Sequence, residues 1–438
     1  MCSGQGGRTL SRLESVARVF SPLRHQDFRK LWVGQALSAL GNGISPVALT
    51  LLLLSQDGNG VQLGVVLSAQ SIGLIGLVLV GGYLADRMRR TRVMAASDLL
   101  RAGAAFGFAL LAPFIGLPVF VLLALAMGAG AAMFTPAARA LLPSLVPDED
   151  LQPANALNVM TAKVGTLVGP PLGGVLAAAF DPRIAFAIDG VTFVVSAVIL
   201  LTIRTGRPRE GATGDDRTPK PTLLRGGSET VRVLRDRPWV ATVIIQGGSQ
   251  VLLVHAPMTI LVPLALRDYG ALDAYGVILA LQSVGSLAGA FLVARWTPRE
   301  PGTVALLSML TSLPTLLVLV FHLPVPLLMG SAMVSGAGGT IFAVLWTSAL
   351  QRRVPEQALA RVVSVDYVGQ LGLEPVGLAM TAPVVALIGI PAGSVVCLAA
   401  LLLTTGLPFL VRGVRTFGGE VAADGDSRQH RTGRPAGG

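Results

Sequence analysis

The chain is short of charge. Only 13% of its 438 residues are Asp, Glu, Lys or Arg, against about 25% in an ordinary soluble protein. Hydrophobic residues make up 52%, so water is not the solvent of most of its surface. Lysine is the scarcest charge: Lys30, Lys163 and Lys220 follow Arg29, Ala162 and Pro219. A P-loop needs Gly-Lys-Ser/Thr, so no such nucleotide site exists and ATP hydrolysis does not power this chain. The two cysteines, Cys2 and Cys397, lie at opposite ends, and His25, His255, His322 and His430 are scattered. Neither a disulfide framework, a metal site nor a catalytic triad can be built from them. The chain is expected to be no enzyme and to hold no cofactor.

What is present is a series of long apolar runs. About 20 apolar residues cross a bilayer, and twelve runs qualify: 31–54, 61–84, 93–115, 118–138, 157–180, 184–203, 240–266, 275–294, 304–322, 324–346, 362–387 and 391–411. The net charge of +10 falls between these runs and at the two ends, not on one face of a soluble domain, which excludes a nucleic-acid surface. The connectors alternate. Arg87–Arg92, the segment 204–237, Arg295, Arg299, Arg352, Arg353 and both termini are on one side; only Arg183 and Arg267 fall on the other. Basic connectors stay cytoplasmic, so both termini and the central loop are expected inside a cell membrane. The first run is too long for a signal-peptide core. Before it, Leu10, Leu13, Ala17 and Phe20 alternate with Arg8, Arg12 and Arg18, which fits a helix lying on the membrane surface or a disordered tail.

These readings predict an all-α polytopic membrane protein. Residues 1–27 form a cytoplasmic segment, 28–203 a first six-helix bundle, 204–239 a flexible linker, 240–411 a second bundle, and 412–438 a disordered tail. The halves match at a shift of 208 residues. Gly128, Gly130, Phe134, Val146-Pro147 and Leu151 map onto Gly336, Gly338, Phe342, Val354-Pro355 and Leu359, and Gly81, Leu84 and Arg87 map onto Gly289, Leu292 and Arg295. Gly169 likewise maps onto Gly377. Two parallel repeats place a cavity between them near the midplane.

The second run ends in Gly82-Tyr83-Leu84-Ala85-Asp86-Arg87-Met88-Arg89-Arg90. This resembles the G-x-L-a-D-r-x-G-r motif of the major facilitator superfamily, with Arg89 where the family has Gly. The resemblance implies a conformational latch of Gly82, Asp86, Arg87 and Arg90, in which the acid finds its partner in one transport state alone. In the fifth run, Gly165, Gly169, Pro170, Gly173 and Gly174 are similar to the GxxxGPxxGG motif of exporters in that superfamily. Small residues four apart admit a second backbone and proline bends the helix, which implies an exporter-type hinge. Phe28–Trp32, Asp98–Arg101, Phe134–Pro143 and Val146–Leu157 resemble the bacterial exporter branch that includes the enterobactin exporter and macrolide efflux proteins. Many of that branch carry Gly-Asp-Gly in span one, whereas this chain has Gly41-Asn42-Gly43. If that acid moves protons in the relatives, its role lies elsewhere here.

A charge at mid-span costs about 2.5–3.5 kcal/mol on insertion scales. Asp98 and Arg101, three apart, are expected to pair with each other or with the latch. Lys163 and Asp189 need a cross-helix partner or a wet cavity. Asp366 and Glu374 map onto Asn158 and Thr166 under the 208-residue shift, so neither carboxylate belongs to a symmetric scaffold. Glu374, Asp189 and Asp366 are the proton-coupling candidates, with Glu374 first. Alternatively Glu374 bonds to Lys163 or attracts cationic substrates. His255 is either a proton shuttle or a satisfied buried histidine. Asn42, Gln70, Asn158, Gln246, Gln250, Gln282 and Gln370, polar in apolar spans, are candidates for lining the cavity or for helix–helix hydrogen bonds. The expected function is proton-coupled export of an amphipathic small molecule (a drug, siderophore or secondary metabolite) by a monomer in the lipid bilayer. The alternatives are an importer of the same fold and a membrane sensor or scaffold that no longer transports.

Overall fold

The computed structural model describes residues 20–56, 58–203, 234–296 and 298–418, with the backbone alone at 79, 82, 85, 86, 148, 178, 356, 357 and 360. The expected surface helix before residue 20, most of the linker and the last part of the tail lie outside these residues. No strand occurs among those described. The first half comprises α1 (Gln26–Ser55), α2 (Gly60–Arg87), α3 (Arg90–Leu111), α4 (Leu117–Leu141), α5 (Asp148–Ala179) and α6 (Pro182–Leu201). The second begins with α7 (Pro238–Asp268), α8 (Ala274–Arg295), α9 (Pro301–Val320) and α10 (Val325–Arg353). A helical stretch, Glu356–Gly406, completes it and is broken at Gly389, whose φ of 82° few other residues adopt.

That break is a hairpin. Leu373 approaches Gly248 of α7, and Thr405, equally far beyond Gly389, bonds to Gln250 of α7. Gly393 likewise lies against Val385, which no straight helix would allow. The stretch is therefore two helices, α11 (356–388) and α12 (390–406), which makes twelve long helices among the described residues.

Local chemistry sets the ends. Asn59 Oδ1 accepts from the Gln62 backbone at 3.0 Å while Gln62 Oε1 accepts from that of Asn59 at 3.1 Å, a capping box that starts α2. Asp181 caps α6 ahead of Pro182. Several helices overrun the apolar runs that announced them: α5 starts at Asp148, not near 157. Its added turns carry Asp148, Glu149 and Asp150, acids that favour a helix N-terminus.

Residues 412–418, expected to be disordered, instead form a turn on the arginine-rich face. Val414 and Phe417 are buried there, the Phe417 ring 5.8 Å from those of both Trp239 and Trp346. The Arg415 carbonyl accepts from Gly302 and Thr303 at 2.8 and 3.0 Å. Apolar burial outweighed the signal of a charged tail.

The halves repeat in space, with one correction. A Cβ at Gly128 would strike the Gln70 carbonyl, and one at Gly336 that of Gln282. Gly73 meets Leu125 and Gly285 meets Met333 in the same way. Helices α4 and α10 thus keep the 208-residue shift, but α2 and α8 are related by 212, one helical turn more. The match of Gly81 with Gly289 is therefore displaced by a turn. In apolar helices a shift by one turn keeps small residues on the same face, so sequence pattern alone does not separate the two registers.

Contacts between the halves gather at the face opposite the arginines. Arg267 Nη1 donates to the Gly58 carbonyl at 2.7 Å, and Ser68 Oγ donates to that of Pro375 at 2.9 Å. A Cβ at Gly60 would lie 2.7 Å from Leu264 Cδ1. Gly174 of α5 and Gly276 of α8 touch backbone to backbone, an approach only glycine permits. This is the closed end of the molecule.

Candidate functional site

A cavity of about 950 Å³ lies among α5, α7, α8, α9 and α10. Helix α5 turns one face to it, bearing Lys163, Thr166, Leu167 and Pro170 at helical spacing. Helix α7 contains a π turn at Val251–His255, whose extra residue re-aims the side chains that follow, and His255 opens into the cavity. Helix α9 tightens into a 3₁₀ turn at Met309–Ser312, presenting Met309 and Ser312. Hydroxyls of α8 and α10 share the lining with Met258, Leu279, Leu287 and Val344, so the wall is amphipathic. Among the described lining residues Lys163 is the sole fixed charge and no carboxylate is present. Lys163 is exposed to this space.

A smaller cleft of about 200 Å³ lies between α7 and α11, lined by His255, Thr259, Tyr367, Gln370 and Glu374. His255 therefore borders both spaces. Glu374 does not reach the large cavity, and the salt bridge with Lys163 considered from sequence does not form. Asp366 is held by neutral donors: Trp346 Nε1 at 3.2 Å and Gln370 Nε2 at 3.0 Å.

In the first half, three charged groups converge where α1, α3 and α6 meet. Asp98 and Arg101 form an ion pair with side chains 0% and 2% exposed. Arg101 Nη1 also donates to Asn42 Oδ1 at 3.1 Å. Its guanidinium stacks 4.8 Å from the Phe134 ring centre and 4.3 Å from that of Phe193, a cation–π sandwich. Asp189, fully buried, accepts from Ser45 Oγ. Gly41 and Gly130 make the room, since a Cβ at either would collide with Asp189 or Arg101. The guanidinium thus pairs with one carboxyl and lies in the same buried cluster as a second, and Asp98 Oδ2 and Asp189 Oδ1 have no hydrogen-bond partner. Asn42 stands where an acid would have added a third.

The glycines of α5 divide their work. Gly165, Gly169 and Gly173 abut Ala39, Gly43 and Ile44 of α1 within the first half, whereas Gly174 meets α8 across the interface. Helix α5 runs unbroken through Pro170. Of the motif after α2, Arg90 Nη1 donates to the Ala140 carbonyl at 2.6 Å, a cation at the C-terminus of α4. The Arg87 guanidinium lies 4.5 Å from the Tyr83 ring centre. The surroundings of Gly82 and the side chain of Asp86 lie outside those described.

The remaining polar candidates disperse. Gln282 lines the large cavity and Gln370 the small one. Gln250 Nε2 donates to Thr405 Oγ1 at 3.2 Å. Gln246 is buried with neither amide atom bonded, and Asn158 Oδ1 also has no partner. Gln70 is half-buried in the α2–α4 contact. Cavity residues that sequence reading passed over include Tyr275, Ser312 and Thr340. Hydroxyl residues are ordinary in membrane helices, where they bond to their own backbone, so nothing marked them.

The model of the Major Facilitator Superfamily matches residues 31–370. The multidrug efflux pump Tap of Mycolicibacterium fortuitum is 27% identical over 389 residues, 85% of this chain and 91% of that protein. Macrolide efflux protein A of Streptococcus pyogenes is 26% identical over 247 residues, 55% of this chain. The match spans 59% of that relative's own length. Among solved structures, a bacterial homologue of the lysosomal transporter Spinster, inward-facing and unoccupied, superposes with a TM-score of 0.68 at 16% identity, covering 91% of this chain and 98% of the other. A bacterial homologue of the iron transporter ferroportin, also inward-facing, gives 0.63 at 19% identity, covering 88% and 98%. These likenesses show a shared fold. With a family model covering most of its length, this membrane protein belongs to the Major Facilitator Superfamily of transporters.

Proposed function

We propose that the chain is a secondary exporter of the cell membrane, with both termini in the cytoplasm, that releases an amphipathic small molecule in exchange for protons. The basic connectors support this orientation, and the closed face then looks outward, leaving the cavity to fill from the cytoplasm. The efflux proteins among the relatives support the direction of transport, as do the close-packed glycines of α5. One observation carries the coupling: His255 borders both the cavity and the cleft that holds Glu374. A proton on Glu374 and a molecule in the cavity therefore act on the same side chain, so that each changes the other's free energy. The two need not occupy one pocket.

The test is drug susceptibility in an efflux-deficient bacterial host, wild type against Glu374→Gln, with collapse of a pH gradient in inverted vesicles as the second readout. Wild type should confer resistance to at least one compound, and adding that compound should release protons. Glu374→Gln should lose both. Equal resistance from the two variants would remove Glu374 from the coupling. Resistance without proton movement would replace antiport with another driving force.

A further inference from the structure

We infer that the large cavity receives its molecule by an anionic group, a carboxylate, sulfonate or phosphate on an amphipathic body, seated against Lys163. This rests on the transport reading for its purpose, not for its chemistry. Lys163 stands on α5 (Asp148–Ala179), about two turns inside the apolar run that begins at 157, and opens into the cavity without an ion pair among the described residues. An isolated ammonium at that depth is costly and is tolerated while water reaches it. Alternating access closes the cavity around its contents and removes that water. A charge-matched guest restores the balance, whereas a cationic guest doubles the cost.

The rest of the wall agrees. Gln282, Ser283 and Thr340 bring hydrogen-bond donors to the same space, and Met258, Leu279 and Leu287 offer an apolar bed. No acid is present to welcome an amine, and Glu374, which from sequence was an attraction for cations, lies in the other cleft. Lys163 comes from the first half and nearly all the rest of the wall from the second. A guest held by the ammonium therefore bridges the two.

The experiment uses three probes of matched length: dansyl-labelled undecanoic acid, its methyl ester and a dansyl alkylamine. Each is titrated by fluorescence into purified full-length protein in detergent and then tested for transport in proteoliposomes. Wild type should bind the acid roughly tenfold more tightly than the ester, and the amine most weakly. Lys163→Met should bind acid and ester alike while keeping the ester affinity of wild type, and Lys163→Arg should retain the preference. Ester and acid binding equally to wild type would overturn the inference, as would an amine preference or a preference that survives Lys163→Met. So would a charge swap, Lys163→Glu with Glu374→Lys, that restores transport lost in either single variant, because Lys163 would then serve as a partner of Glu374. Lys163-dependent binding of the acid without its transport would leave the anion site standing and count against the exporter. Transport of all three probes without preference would do the reverse.

Discussion

Removing Arg101 offers the sharpest quantitative test of the first half. Arg101→Met keeps about the same volume between Phe134 and Phe193 but leaves buried Asp98 without its ion-pair partner and removes the cation from the cluster that also holds buried Asp189. Two unit charges 4 Å apart attract by about 4 kcal/mol at an effective dielectric of 20. Stripping one partner from a buried pair costs about 3–5 kcal/mol, because the other charge stays behind. Two carboxyls remain here, so the upper end of that range is expected. The assay is unfolding in an SDS titration from lipid bicelles at pH 7. The double variant Arg101→Met with Asp98→Asn removes one of the stranded charges and should recover more than half of the loss. If the single variant lost no more than about 1 kcal/mol, the value of a surface pair, the cluster would be open to water. If the double variant were as unstable as the single one, the penalty would come from packing, not charge.

Three further outcomes follow from the geometry. Gly169→Ala would place a Cβ 2.5 Å from the Gly43 Cα, and prising α1 from α5 should cost about 1–3 kcal/mol; Gly103→Ala, with nothing within 4 Å, should match wild type or exceed it in thermal stability. In a background without Cys2 and Cys397, Gly60→Cys with Leu264→Cys should form a disulfide that pins the closed face. Transport should stop on oxidation and return with dithiothreitol, and transport that persists through full cross-linking would contradict closure at this face. The Arg183 side chain, and then its backbone N–H, hold the Asp181 carboxyl below its ordinary range, so the cap contributes above the unfolded-chain value and is lost as pH falls through the folded one. Asp181→Ala should cost ~1 kcal/mol evenly from pH 7 to about 5, and the gap to wild type should close below about 4; a gap that widened in acid would reverse the sign.

How far sequence carried the reading depends on which force left a trace in it. Lipid demands continuous apolar length, so the spans were legible even where the ends were not. Asp98 and Arg101 were legible as a pair because three residues on a helix is also a distance in space. Asp189 and Ser45 were not, because they are 144 residues apart and in lipid every helix is apolar all round, leaving no moment to say which faces meet. The same lack hid the displaced register of α2 and α8. The π turn of α7 had no sequence mark at all, yet it is what brings His255 to two cavities.

The asymmetry between the halves bears on the mechanism. A ligand shifts a conformational equilibrium only by the difference between its contacts in the two states. A molecule resting wholly on α7–α10 would move with the second half and favour neither state. Lys163 changes this, since it is carried by α5, which also bears Gly174 at the closed face. Rocking the halves apart at Gly174 and Gly276 moves α5 relative to α8, and with it the ammonium relative to the rest of the wall. On this proposal a guest bound to both is held on the joint itself, and its contacts change as the halves rock. The charged cluster where α1, α3 and α6 meet is built wholly from the first half, so it moves with that half as the two rock.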